Sequence, residues 1–149
     1  MTSRARHLAP FLLLAPLVCL AMTGETVDEL KAKAATASGG DQAKLYALVA
    51  QGEVELANQY FTDGDVDKGY AAVQDAVSYA EKARDAAIQS RKRLKQTELA
   101  IGRTARRLND ISKTLAIDDR PAVEQAVKKL EHIQDQLLAA LFGEGKRQP

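Results

Sequence analysis

Between Val66 and Leu115 the chain places an apolar residue at every seventh position: Val66, Val73, Ala80, Ala87, Leu94, Ile101, Leu108 and Leu115. Three residues after the first seven of these stand Gly69, Ala76, Ala83, Ser90, Thr97, Thr104 and Ile111. A seam at strict sevens keeps one face of a helix against a neighbour, and the small residues beside it let that neighbour come close. The prolines are Pro10, Pro16, Pro121 and Pro149, so none interrupts the seam. One helix of about 50 residues would span roughly 75 Å at about 1.5 Å per residue. Gly102 is its one weak point and Ser90 a lesser one, and a break at either would fold it into a shorter bundle.

The remaining segments read as shorter helices. Thr26 caps a helix over 27–35 that opens with Asp28 and Glu29 and is broken by Ser38-Gly39-Gly40. Asp41 can cap the next, over 41–62, whose apolar positions are Leu45, Leu48, Val49, Leu56, Ala57, Tyr60 and Phe61. Asp118-Asp119-Arg120-Pro121 stops the long element and starts a last helix over 121–142, ended by Gly143 and Gly145. No strand pattern is present. The expected fold is all-α, with antiparallel helical hairpins (41–88 and 89–142) around one long central helix, in a single domain over 22–149.

The first 21 residues read differently. Arg4, Arg6 and His7 precede an uncharged, mostly apolar run from Leu8 to Met22, and Cys19 and Ala21 supply small residues three and one positions before a cut. This is the pattern of a secretory signal cleaved after Ala21. The run is shorter than the roughly 20 residues that a spanning helix needs; a retained anchor is the alternative. The single cysteine, Cys19, leaves with the leader, so the mature chain carries no thiol chemistry. The expected location is secreted or periplasmic.

Charge is unevenly spread. Residues 22–83 hold 5 basic and 11 acidic side chains, residues 84–114 hold 9 and 3, and residues 115–149 hold 5 and 6. Overall near-neutrality gives no global attraction to nucleic acid. The basic residues Arg91, Lys92, Arg93, Lys95, Arg103, Arg106 and Arg107 form a candidate anion-binding surface. Arg91/Lys95 and Arg103/Arg107 are like-charge pairs four apart, each costing a few tenths of a kcal/mol, so something negative is expected beside them. An anionic lipid or polymer is one candidate. Glu124, Glu131 and Asp135, brought near Arg103, Arg106 and Arg107 by a fold at Pro121, are the other. No aromatic residue interleaves with the basic ones to stack bases, so no nucleic-acid partner is expected.

Asp63, Asp65 and Asp67 alternate as in a calcium loop. Counted from Asp63, position 6 is Lys68 and position 12 is Gln74, which cannot clamp a cation with two charged oxygens. The stretch is better explained as a turn at Asp63-Gly64 followed by an Asp65 cap. No metal site is expected.

Residues 50–83 resemble one tetratricopeptide repeat, a 34-residue helix–turn–helix. Leu56-Ala57, Tyr60, Gly64-Asp65, Gly69 and Ala76 carry the resemblance. Glu53 replaces a common aromatic, and Glu81 the closing proline. The resemblance implies a protein-binding hairpin. Asn58 falls where such repeats often hold a peptide carboxylate, with Val54 in place of the accompanying lysine.

Catalysis finds little support: His132 is the mature chain's one histidine, and no Cys–His pair, metal-ligand cluster or phosphate loop is present. The sequence therefore predicts a non-catalytic protein-interaction or scaffold module without cofactor that binds a protein partner or itself. Asn58 and Phe61, and an uncovered part of the seam at Leu94, Ile101 and Leu108, are its candidate contacts. An anionic envelope surface is the alternative partner.

Overall fold

A computed structural model describes residues 24–144. The leader over 1–21, its cleavage after Ala21 and the tail at Lys146-Arg147 lie outside the described residues. The described chain is all-α. Its helices are α1 (Val27–Thr36), α2 (Gly39–Thr62), α3 (Val66–Ser90), α4 (Leu94–Thr114) and α5 (Arg120–Glu144). No helix among the described residues is long and apolar enough to cross a membrane.

Local chemistry sets the ends. Thr26 and Glu29 form a reciprocal capping box: the Thr26 N–H donates to the Glu29 carboxylate at 2.9 Å, and the Glu29 N–H to the Thr26 hydroxyl at 3.2 Å. Gly39 starts α2 with φ +58°, so that helix begins two residues before Asp41, and Ser38 is its N-cap. Gly64, at φ +81°, makes the turn between α2 and α3. Asp65 caps α3 by accepting from the Lys68 N–H at 3.3 Å, and its other oxygen pairs with the Lys68 ammonium at 2.6 Å. Asp65 is thus engaged at the start of α3, while Asp63 and Asp67 are exposed; among the described residues no three acidic, histidine or cysteine side chains gather as metal ligands.

The long central helix is not formed. It breaks just after Ser90, and Gly102 remains inside α4. Arg91 (φ 52°) and Arg93 (φ 59°) are both left-handed, a conformation that costs roughly 1 kcal/mol for a side-chain-bearing residue. Ser90 helps close the turn, donating to the Ala86 carbonyl at 2.7 Å and accepting from the Lys92 N–H at 3.3 Å. What was expected as a rod is a reversal, and α4 folds back onto α2, α3 and α5.

Packing follows side-chain size. The tightest helix pair, α2 with α3, closes on alanines: Ala43, Ala47, Ala50 and Ala57 on α2 and Ala72, Ala76, Ala80, Ala83 and Ala87 on α3 are all buried. The buried α2 face is therefore its small residues together with Val49 and Val54; Leu48, expected inside, is 36% exposed. The α4–α5 pair closes on larger groups, with Ile101, Leu108 and Ile111 against Val123, Leu130, Ile133 and Leu137. At the hairpin tip, the Phe61 ring lies over Gly69, where a Cβ would collide with it. Phe61 also meets Tyr70 edge-on at 5.6 Å between centroids.

Leu94, Ile101 and Leu108 are 5%, 0% and 0% exposed. The seam is covered by the chain's own helices, so the uncovered self-association surface expected there does not exist.

Candidate functional site: a groove between α2 and α4

The break at 91–93 lays α4 alongside α2. Arg93 pairs with Asp41 at 3.1 Å, and Arg107 holds Glu55 through two bonds, Nε to Oε1 at 2.7 Å and Nη2 to Oε2 at 2.9 Å. Each pair is separated by 52 residues in sequence. A constant separation means that the two helices run parallel in fixed register. The same offset sets Lys44 opposite Gln96, Leu48 opposite Ala100 and Gln51 opposite Arg103.

The space between the helices is a groove in two connected parts that share Gln51 and Arg103. One part, about 350 Å³, runs past Val54 and Thr104 to the Glu55–Arg107 pair. The other, about 250 Å³, is lined by Lys44, Ala47, Leu48, Thr97, Ala100 and Arg103 among others, and reaches Arg93. The bidentate Arg107 hydrogen bond holds the Glu55 carboxyl below its ordinary value, and Glu55 in turn raises Arg107. Among the described residues, neither Lys44 nor Arg103 is in an ion pair, so the middle of the groove presents two cations without carboxylates.

Thr97 lies in this middle section. It is 2% exposed, and its hydroxyl has no hydrogen-bond partner among the described residues. Thr62, Ser90, Thr104 and Thr114 each donate to a carbonyl of their own helix; Thr97 does not.

The basic residues singled out in the sequence are divided by this geometry. Arg93, Arg103 and Arg107 face the groove. Arg91, Lys92 and Lys95 are exposed around the α3–α4 turn, and Arg106 is exposed outside the groove lining. The expected acidic partners on α5 do not meet these arginines; the carboxylate that Arg107 meets is Glu55 on α2, because the reversal at 91–93 points that face of α4 toward α2. Asn58 and Phe61 are half-buried on α2, and Phe61 is engaged by Gly69 and Tyr70. Lys44 and Gln51 escaped the sequence reading, because only the 52-residue offset sets α2 beside Arg103; Thr97 was legible only as a small residue beside the seam.

Two other polar clusters are structural. Lys31 of α1 pairs with Glu53 of α2 at 2.5 Å, with the Glu53 side chain 4% exposed. Glu98, 7% exposed, accepts from Gln134 Nε2 at 2.5 Å. His132 is exposed on α5, its Nε2 3.2 Å from Gln136 Nε2.

The chain matches no protein-family model, no curated protein and no solved structure.

Proposed function

We propose that this chain is a secreted or periplasmic, non-catalytic binding module of helical hairpins, akin to a tetratricopeptide hairpin in its α2–α3 half, that takes an acidic segment of a protein partner in the α2/α4 groove. One observation carries the reading. Three arginines, Arg93 at the cap of α4 and Arg103 and Arg107 within it, face α2; the outer two are closed by Asp41 and Glu55, and the middle one, Arg103, has only the neutral Gln51 opposite it. Unpaired cations beside an apolar floor of Ala47, Leu48 and Ala100 suit a chain that alternates carboxylates with aliphatic groups. A second copy is one such partner, since Asp63 and Asp67 are exposed at the hairpin tip.

The test is fluorescence anisotropy with a labelled peptide of alternating glutamate and alanine, against its glutamine counterpart. The acidic peptide binds, and binding weakens as salt rises. Equal affinity for the two peptides would sink the reading. Light scattering on the mature protein tests the second copy: a clean monomer at high concentration removes self-association and leaves a heterologous partner.

Arg91, Lys92 and Lys95 favour a second reading, an anionic envelope surface, because they are exposed and in no ion pair among the described residues. Anionic vesicles test it. Binding that is absent, or that survives exchange of these residues for glutamine, removes it.

A further inference from the structure

We infer that the groove recognises its partner through one side-chain carboxylate, seated between Lys44 and Arg103 with the Thr97 hydroxyl as a third donor; this rests on the reading of the groove given above.

The two closed positions show the chemistry. Arg107 takes both oxygens of Glu55, and Arg93 takes one oxygen of Asp41. The α2/α4 contact is thus a ladder of guanidinium–carboxylate rungs in a single register. At the middle rung the arginine is present and the carboxylate is missing, with Gln51 in its place. Lys44 stands two turns before Gln51 on α2, about 10 Å along the helix, and lines the same section of the groove as Arg103, so a carboxylate in that section lies between the two cations.

Thr97 supplies the independent observation. A buried hydroxyl without a partner costs about 1–3 kcal/mol, and a threonine in a helix ordinarily avoids this by donating to its own turn, as Thr104 does. Thr97 lines this section of the groove, and the two rotamers open to helical threonine give its hydroxyl a second direction in which to meet an acceptor. A carboxylate seated there accepts from Arg103, Lys44 and Thr97 together. The section that holds Lys44, Thr97 and Arg103, about 250 Å³, opens into the rest of an elongated groove between two helices. An elongated groove with an apolar floor suits a bound polypeptide, one of whose side chains enters this section with Leu48 and Ala100 against its methylenes.

The experiment uses the full mature chain, the glutamate–alanine peptide and four variants. Arg103→Gln weakens binding about tenfold and Lys44→Gln about threefold. Thr97→Val weakens it about threefold while the melting temperature holds or rises, because valine removes an unsatisfied hydroxyl; Thr97→Ser keeps the hydroxyl and the affinity. Arg106→Gln, outside the groove, changes nothing. If Arg103→Gln weakens binding and Thr97→Val does not, the groove reading stands and the carboxylate seat is overturned. Equal losses in Arg103→Gln and Arg106→Gln mean diffuse charge attraction and overturn the seat as well. If anionic vesicles displace the peptide regardless of Thr97, the ligand is a lipid surface, and the seat falls.

Discussion

Lys31 on α1 reaches Glu53 on α2 at 2.5 Å, and the Glu53 side chain is almost wholly enclosed while that of Lys31 stays 28% exposed. The same ammonium lies 5.3 Å from the centre of the Tyr79 ring on α3 and 3.8 Å from Asp75. The shortest helix is thus fastened to the hairpin by one charge among several partners. Breaking a buried pair from one side leaves the other charge stranded. Lys31→Met is therefore expected to cost about 2 kcal/mol in urea melts, below the roughly 3–5 kcal/mol of a fully buried pair. Exchanging Glu53 for Met as well recovers most of the loss. The hydrogen bond to Glu53 is the largest influence on Lys31 and raises its pKa above the ordinary 10.5. The corresponding stability is fully present below the unfolded value and is lost as pH climbs through the folded one. Melts at pH values rising past 10.5 read this loss, and Lys31→Met removes it.

Glu55→Gln separates stability from binding. Both members of the Glu55–Arg107 pair are about half exposed, so solvent screens the interaction and its removal changes stability by at most about 1 kcal/mol. The substitution frees Arg107 as a second open rung. The acidic peptide should bind about threefold more tightly, and an unchanged or weaker affinity would count against the ladder. The Glu55 carboxyl sits below its ordinary 4.5 because Arg107 donates to it. The pair's small contribution is therefore present above the unfolded value and disappears as pH falls through the folded one.

Gly102→Ala sets helix propensity against one hydrogen bond. Alanine gains about 1 kcal/mol over glycine inside a helix. Its Cβ would stand 2.5 Å from Gln134 Nε2. The glutamine side chain can swing aside, but it then releases Glu98, whose carboxylate is buried. A lost bond to a charged buried group costs about 1.5–3 kcal/mol, so the net effect is a loss of about 1 kcal/mol. Gly102→Ala with Glu98→Leu removes the stranded carboxylate and should reverse the sign.

Arg91→Gly should stabilise. The left-handed backbone at Arg91 is free of steric cost for glycine, and the side chain is exposed. Glycine's greater unfolded entropy returns part of the gain, leaving about 0.5 kcal/mol, readable as a small rise in urea midpoint at unchanged m-value.

The heptad marked the correct interior and the wrong shape. Val73, Ala80, Ala87, Leu94, Ile101 and Leu108 are all buried, on both sides of a break that the spacing runs straight through. Turn chemistry gave no warning, since Arg-Lys-Arg contains no glycine or proline and is left-handed twice; only Ser90 hinted at it. The Thr26 and Asp65 caps were legible because a cap is a contact within a few residues. The α2 core face was misjudged because alanines, which bring α2 against α3, carry little hydrophobic signal beside leucines such as Leu48. The groove was the least legible element. Arg103 and Arg107 were visible as unexplained charge, but their neighbours on α2 depend on the reversal at 91–93.

The walls of the groove come from different hairpins, α2 from the first and α4 from the second. Contacts within each hairpin are close in sequence and form early in chains of this kind; the 52-residue rungs exist only once the two halves have met. Any molecule that spans the groove binds the assembled state alone and draws the folding equilibrium toward it by mass action. Chains whose groove is filled would be spared, and those whose groove stands empty would be the first to reach a protease.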